Sequence, residues 1–195
     1  MAKSILAWHW SDGMVCRYDG RPIVVGETLR VESVEMCRRG LHASPRILHA
    51  LYYAPGTTIS RVRLTGRIER GGDKVVATER TCLWSVDARL ALVVWAADCA
   101  ERALERQIAA GREPDPRSWA VVEAARKWAA DPTSAADALL PRFEKLAWRA
   151  ASADAAEAAA AAADVAAERK WQSRRLRALT GAARRGEKLV PLTRE

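Results

Sequence analysis

The pattern of apolar residues changes near residue 84 of this 195-residue chain. Before it, short segments alternate between apolar and polar positions, as residues 5–10 do, and turn residues such as Asp19-Gly20 separate them. From Leu83 onward the apolar residues recur with the period of a helix, and alanine predominates. The change predicts an α+β protein, with a small strand-rich module over residues 1–84. An antiparallel helical bundle rich in Ala and Trp, ending in a basic tail, is expected over residues 85–195.

Capping residues indicate where the helices of the second region begin and end. Ser85 is expected to cap a helix that runs to about residue 110, and Asp115 before Pro116 predicts another that ends near Asp131. The Ala-rich segment 141–179 is the most helix-prone part of the chain, because Ala has the highest intrinsic helix propensity. An Ala-rich face lets another helix approach closely, so this segment is expected to pack within the chain or across a homodimer.

The segment before residue 56 combines a turn, a polar site and a short helix. Ser44 followed by Pro45 is typical of an N-cap and the first helical residue, which predicts a helix over residues 44–53. The unpaired amides at such a helix start attract phosphate or carboxylate groups. Arg38, Arg39, His42 and Ser44 are therefore the candidate anion-binding residues. The alternative for the two arginines is a solvated turn.

His9 and His42 are polar positions in otherwise apolar strands. We expect them on neighbouring strands, facing one cleft beside the helix at residues 44–53. The alternatives are that His42 bonds the backbone of a tight turn and that His9 lies on the less apolar face of its strand.

The formal net charge of +8 is carried by the two ends of the chain. Residues 169–195 contain nine Lys and Arg against two Asp and Glu. Such a tail is expected to bind an acidic protein face or nucleic acid, with Arg174, Arg175 and Arg177 as the candidate partner-binding residues. The alternative is a solvated end that favours the C-terminal pole of the last helix.

The four cysteines show no Cys-x-x-Cys spacing, and the N-terminal residues lack the apolar run of a signal peptide. No stretch reaches the roughly 18 apolar residues that a membrane span needs. We therefore expect free thiols in a reducing cytoplasm and no contact with a membrane. The spacing of Cys37, His42 and His49 matches no common zinc pattern, so neither a metal nor another cofactor is expected.

Six segments of the N-terminal half form a specific set of motifs: Trp8-His9-Trp10, Val25-Gly26-Glu27-Thr28-Leu29, Cys37-Arg38-Arg39-Gly40-Leu41-His42-Ala43-Ser44, Ala50-Leu51-x-Tyr53-Ala54-Pro55-Gly56, Asp73-Lys74 and Thr78-Glu79-Arg80-Thr81-x-Leu83-Trp84. With these motifs, the N-terminal half resembles an uncharacterised family of small proteins found mostly in phages and prophages. The second half resembles the Ala-rich helical region that these proteins carry. The resemblance implies a mobile-element protein made in the cytoplasm of a bacterial host, and it implies no reaction.

The strand with Trp-His and the Gly-Leu-His-Ala-Ser segment before a helix also resemble the skeleton of ADP-ribosyltransferase and RNA 2′-phosphotransferase folds. That resemblance implies ligand-binding roles for His9 and His42, a supporting hydroxyl on Ser44 and a strand acid at Glu79. Trp10 departs from the pattern, because the resembling folds have a small residue after the first His.

Three functions from different classes follow. The first is a non-catalytic phage accessory protein that binds a host protein, in counter-defence or host takeover. The second is a transferase-like enzyme whose candidate catalytic residues are His9, His42 and Glu79. The third is a non-specific nucleic-acid binder that uses the basic ends. The sequence contains no Gly-rich phosphate loop and no helix-turn-helix with a basic recognition face, which favours the first hypothesis.

Overall fold

The computed structural model describes residues 4–17, 19–132 and 162–191. It has the predicted α+β class, with an antiparallel sheet of five strands and a set of helices that follows it. The chain divides into two compact units, Met1–Ala88 and Arg89–Glu195. The boundary falls after Ala88 rather than after residue 84, because the last strand extends further than its sequence pattern indicates.

The first unit is built on one sheet. Its neighbouring strands run in the order β1-β4-β5-β2, and β3 also pairs with β5. All of these pairs are antiparallel. The bounds are β1 Ile5–Ser11, β2 Thr28–Arg30, β3 Leu41–Ala43, β4 Thr58–Arg70 and β5 Val75–Asp87.

The β4–β5 hairpin consists of two strands of 13 residues each and contains a bulge. β4 continues through Gly66 with a register shift between Thr65 and Ile68. Gly66 has a φ of +72°, and a Cβ there would lie 2.2 Å from Oγ1 of Thr78. Glycine is therefore needed at this bulge, which bends the strand without ending it.

A single backbone bridge joins β1 to the end of β3. The amide of Trp8 donates to the carbonyl of Ser44 at 2.8 Å, and the amide of Ser44 donates to the carbonyl of Trp8 at 2.9 Å. Since β1 pairs with β4, β4 with β5 and β5 with β3, this bridge closes a ring of strands.

The bridge also explains why the predicted N-cap is wrong. The helix α1 spans only Ile47–Leu51, its N-cap residue is Arg46, and no side chain caps it. Ser44 remains extended because its backbone is paired with Trp8, so the helix cannot begin there.

Apolar side chains from the ring of strands form the core of the first unit. Val62 and Leu64 of β4 lie against Val75 and Ala77 of β5, and all four are buried. Ile5, Ala7 and Ala43 complete this cluster from β1 and β3.

The second unit consists of helices α2 Arg89–Ala109, α3 Pro116–Ala130 and α4 Ala162–Arg184. Ser85 does not cap α2, because it lies inside β5, where its hydroxyl donates to the carbonyl of Ile59. The predicted start of α3 is confirmed: Asp115 is the N-cap, and its side chain accepts a hydrogen bond from the amide of Arg117.

Apolar packing, an indole hydrogen bond and buried ion pairs join the helices. Val93, Ala97 and Leu104 of α2 bury against Val122 and Trp128 of α3. The buried indole of Trp95 in α2 donates to the carbonyl of Gln172 in α4 at 3.1 Å. The predicted helix over residues 141–179 falls largely outside the described residues, and its last part lies in α4.

No helix in the described part of the chain combines the length and the apolar character that crossing a membrane requires.

Candidate functional site

A cavity of about 420 Å³ lies where β1 and β3 separate. The register of the Trp8–Ser44 bridge would place Trp10 opposite His42, but the described residues form no further pair between these strands. The carbonyl of His42 accepts instead from Nη1 of Arg80 at 2.9 Å. The lining residues are Trp8, His9, Trp10, Cys16, Arg17, Asp19, Val31, Cys37, Arg38, Arg39, Gly40, Leu41, His42, Ala43, Ser44, Ala50, Tyr53, Pro55, Lys74 and Arg80.

Arg80 of β5 is the central charge of this cavity, and only 4% of it is exposed. Its Nη1 donates to the carbonyl of His42 and, at 3.3 Å, to Nδ1 of His9. Its Nη2 donates to Sγ of Cys16 at 3.4 Å. These acceptors are all neutral, and they use three of the five N–H donors of the guanidinium group.

The charge of Arg80 has no carboxylate hydrogen-bonded to it among the described residues. Asp19 also lines the cavity, but it accepts from Nε of Arg21 at 2.8 Å and from the amide of Arg21 at 3.1 Å. Burial lowers the pKa of Arg80. The guanidinium group of an arginine nevertheless stays protonated in proteins. A buried cation with neutral partners is costly, and such arrangements are found at functional sites.

Arg80 also determines the tautomer of His9. An arginine can only donate, so Nδ1 of His9 accepts, and the proton of the neutral ring is on Nε2. Burial lowers the pKa of His9 well below its ordinary value, and the charge of Arg80 lowers it further. The ring is therefore neutral at pH 7. Its buried Nε2 has no hydrogen-bond partner, and neither has the buried Nε1 of Trp10. Buried donors are almost always satisfied, so these two need an explanation.

Both ring nitrogens of His42 are bound to the backbone of the preceding turn. Nε2 accepts from the amide of Cys37 at 3.1 Å, and Nδ1 donates to the carbonyl of Gly40 at 3.1 Å. Burial lowers the pKa of His42. The turn requires a φ of +116° at Gly40, where a Cβ would lie 2.4 Å from Cγ2 of Val76. His42 thus holds the turn, which is the second of the two roles that the sequence left open.

Tyr53, Asp73 and Lys74 form a hydrogen-bonded group at the rim. The hydroxyl of Tyr53 donates to Oδ2 of Asp73 at 2.5 Å, and Nζ of Lys74 donates to the same hydroxyl at 3.3 Å. The hydrogen bond to Asp73 raises the pKa of Tyr53. Because Tyr53 and Lys74 line the cavity, they place a phenol and an ammonium group at its opening.

The four candidate anion-binding residues all line this cavity, but not around a helix start. The described α1 has five residues and begins after Arg46, so its amides do not support an anion site at Ser44. Arg38 pairs with Glu35 at 3.1 Å, and Arg39 donates to the hydroxyl of Ser33 at 3.4 Å. The positive charge of the cavity therefore comes from side chains, such as Arg38 and Arg39 in the turn before β3 and Arg80 in β5, and not from a helix N-terminus.

Glu79 does not belong to the cavity, which corrects its assignment as a catalytic acid. Successive side chains of a strand point to opposite faces, so Glu79 turns away where Arg80 turns inward. Its carboxylate accepts from the hydroxyl of Thr65 at 2.7 Å and lies 3.4 Å from Nε of Arg30.

The three candidate residues of the basic tail have different environments. Arg174 and Arg177 are exposed. Arg175 is turned into the unit, where its Nε donates to Oδ2 of the fully buried Asp98 at 2.8 Å. Its Nη2 donates to the carbonyl of Val190. The assignment of Arg175 to a partner surface is therefore wrong, because its charge is already used inside the fold.

Sequence reasoning missed Arg80, the residue on which this site depends. The signal available was weak: Arg80 is one of several arginines in alternating segments, and its burial results from strands distant in sequence. Lys74 was noted only as part of the family motif. Trp10 was interpreted as a departure from the transferase pattern, whereas in the structure it is one of the residues that line the cavity.

Comparisons with protein-family models, with curated proteins and with solved structures find no match for this chain. Among the described residues, no group of three or more His, Cys, Asp or Glu side chains is placed to hold a metal ion.

Proposed function

We propose that the first unit binds a small anionic molecule in the cavity between β1 and β3. The observation that carries the proposal is the buried guanidinium group of Arg80, which has neutral hydrogen-bond partners and no carboxylate bound to it. A buried charge with no carboxylate bound to it is unfavourable, and a bound anion would form an ion pair with it. Five basic side chains line the cavity against one acidic side chain, which favours the same ligand charge.

The size and the other walls of the cavity narrow the ligand class. A volume of about 420 Å³ lies within the range of sites for small organic ligands. Trp8, Trp10 and Tyr53 line it together with the cations, and aromatic walls of this kind accommodate a planar group. We therefore propose an organic phosphate or carboxylate that carries a ring.

The test is ligand-dependent stabilisation of the full chain. Inorganic phosphate, citrate and adenosine 5′-monophosphate are each added while thermal unfolding is followed. A ligand at a hundred times its Kd stabilises the folded state by about 2.7 kcal/mol, which raises Tm measurably. We expect this with at least one of the three anions, and we expect Arg80→Met to abolish it.

Arg63→Met is the matched control, because Arg63 is an exposed arginine of β4 that does not line the cavity. It should leave the ligand effect unchanged. If no anion stabilises the wild-type chain, or if Arg80→Met responds like Arg63→Met, the proposal is wrong.

The transferase alternative is less well supported than binding. It assigns ligand contacts to His9 and His42 and an acid role to Glu79. His42 uses both ring nitrogens in its own turn, and the carboxylate of Glu79 bonds on the other face of the sheet. Of the two histidines, His9 is the one that keeps a ring nitrogen, Nε2, without a hydrogen-bond partner in the described residues.

For the second unit, we propose that α4 binds an acidic protein face. Lys170, Arg174 and Arg177 are exposed and follow the spacing of one helix face, which supports a basic stripe. This is the part of the chain through which a host protein would be bound. Host binding by a phage-encoded accessory protein stays a prediction, and so does a reducing cytoplasm, which the four free cysteines favour.

Nucleic acid is the competing partner for this stripe, and salt separates the two. Contacts to phosphates release counterions, so the affinity of the chain for generic DNA or RNA would fall steeply with salt. We expect weak binding to nucleic acid at physiological salt. Tight, salt-sensitive binding that is lost in the double variant Arg174→Gln/Arg177→Gln would instead favour nucleic acid. The double variant avoids Arg175, whose replacement would disturb the fold.

A further inference from the structure

The hydrogen-bond donors in the cavity wall define the ligand more closely than the positive charge of the cavity does. Arg80 can only donate, and its contact with Nδ1 leaves His9 with its proton on Nε2. That Nε2–H is buried and has no partner. A ligand group that approaches both residues therefore meets donors from each, and it must be an acceptor at every atom that they touch.

Trp10 is the other residue of β1 with an orphaned donor. It is 3% exposed and lines the cavity, and its Nε1–H has no hydrogen-bond partner. As neighbours in a strand, His9 and Trp10 have side chains on opposite faces, and it is His9 that shares a face with Arg80. The ligand contact is therefore assigned to His9.

We infer that the ligand carries a phosphate monoester in its dianionic form, held by the guanidinium group of Arg80 and the Nε2–H of His9. This rests on the proposed function, because it names the chemistry of the anion that the cavity binds. A monoester dianion presents three terminal oxygens that only accept. A diester has one negative charge and one fewer terminal oxygen. A carboxylate has a single charge on two oxygens.

His9 is in this view a specificity-determining residue that depends on Arg80. The contact at 3.3 Å between Nη1 of Arg80 and Nδ1 of His9 selects the tautomer in which Nε2 donates. A His9 ring with the opposite tautomer would present an acceptor to the ligand, and it would repel an oxyanion. One arginine thus supplies the charge and also orients the neighbouring donor.

Two substitutions of His9 form a matched pair for the test. His9→Gln keeps a distal amide N–H near the reach of the imidazole Nε2, and it keeps an oxygen that can accept from Arg80. His9→Asn keeps the oxygen but is too short to supply the distal donor. Adenosine 5′-monophosphate, its phosphate methyl ester and adenosine are the probes, and their Kd values are measured by isothermal titration calorimetry on the full chain.

We expect the wild type to bind the monoester about tenfold or more tightly than the methyl ester, since hydrogen bonds to the more highly charged anion are stronger. Adenosine should bind more weakly than either. His9→Gln should keep the preference for the monoester, and His9→Asn should lose most of it, with a loss of about tenfold or more in monoester affinity.

Several results would overturn the inference. Equal affinity for the monoester and its methyl ester in the wild type would do so, and so would equal losses for both esters in His9→Asn. If anions bind and Arg80→Met abolishes binding while both His9 variants bind as the wild type does, the proposed function stands and this inference fails. If no anion binds to the wild type, both fail.

A spectroscopic readout covers the case in which a His9 variant does not fold. In wild-type protein labelled with ¹⁵N, the chemical shifts of the His9 ring nitrogens report the tautomer directly. We expect protonation at Nε2 without ligand and a downfield shift of that proton when the monoester is added. Protonation at Nδ1, or an Nε2–H signal that the monoester leaves unmoved, would contradict the inference.

Discussion

Arg80 in the first unit is buried and Arg126 in the second unit is partly buried, and their guanidinium groups have different partners. Arg126 of α3 binds the carboxylates of Glu101 and Asp98 on α2. Although burial opposes it, these carboxylates raise the pKa of Arg126, whereas burial lowers the pKa of Arg80. Arg80 bonds a ring nitrogen, a carbonyl and a thiol. The comparison separates a charge that is paired with carboxylates inside the fold from a charge with neutral partners, for which we propose a ligand.

The second unit contains a second buried carboxylate that is paired with arginines of another helix. Glu168 of α4 is 7% exposed, and it is bound by Arg102 of α2 at 2.9 Å and by Arg106. Arg102 also stacks over the ring of Trp171, 4.1 Å from its centroid. Each buried carboxylate of α2 or α4 thus has an arginine on another helix. Breaking such a pair leaves one buried charge uncompensated, which costs far more than an exposed pair would.

The substitution with the largest expected loss of stability therefore lies in the second unit. Asp98 is fully buried between Arg126 of α3 and Arg175 of α4. Asp98→Ala should lower the free energy of unfolding by about 3–5 kcal/mol, because both arginines lose a partner inside the fold. Urea denaturation followed by tryptophan fluorescence measures this. A loss below about 1 kcal/mol would show that these pairs contribute little.

Arg80→Met should have a smaller effect on stability. No carboxylate loses a partner, and the methionine fills part of the volume while removing a buried charge. The carbonyl of His42 and Nδ1 of His9 lose a donor, which costs about 1–3 kcal/mol. Since removing the buried charge offsets part of this cost, we expect a net loss of less than half of that in Asp98→Ala, by the same urea titration. A loss equal to that in Asp98→Ala would mean that Arg80 is structural, as Arg126 is.

Two helix starts and two adjacent arginines show which features of this fold the sequence can predict and which it cannot. The start of α3 was predicted because Asp115 and Pro116 act on their own helix turn. The predicted cap at Ser44 was wrong, because a backbone pair with Trp8, far away in sequence, keeps Ser44 extended. Likewise Arg175 and Arg174 are adjacent basic residues of one helix, and only the position of Asp98 on α2 distinguishes them. Local signals set element starts, whereas distant pairs decide which charges are buried.

The pH dependence of stability provides a third test, confined to the first unit. The folded-state pKa of His9 lies well below that of the unfolded chain, and the pKa of His42 is lowered as well. Below about pH 6.5 the unfolded chain binds protons that the folded one does not, so stability falls as the pH falls. The loss approaches about 1.4 kcal/mol per pH unit for each such histidine.

Unfolding free energies measured between pH 7.5 and 5 by urea titration test this slope. His9→Asn should reduce the slope, because one of the two histidines that differ in protonation is gone and only His42 remains. The double variant Arg174→Gln/Arg177→Gln, in which exposed residues of the other unit are changed, should keep the wild-type slope. A stability that does not change from pH 7.5 to 5 in the wild type would mean that His9 accepts a proton in the folded state.

The smallest stability effect is expected at Ser44. As an N-cap it would lose about 1 kcal/mol on replacement by alanine. Its hydroxyl caps no helix and its backbone pairing with Trp8 does not depend on the side chain, so Ser44→Ala should change the unfolding free energy by less than about 0.5 kcal/mol. Ser44 still lines the cavity, so its substitution can reveal a ligand contact without a change in the fold. A weaker affinity for adenosine 5′-monophosphate at unchanged stability would place its hydroxyl against the ligand. A stability loss of about 1 kcal/mol would instead indicate that Ser44 caps the helix and that α1 begins before Ile47.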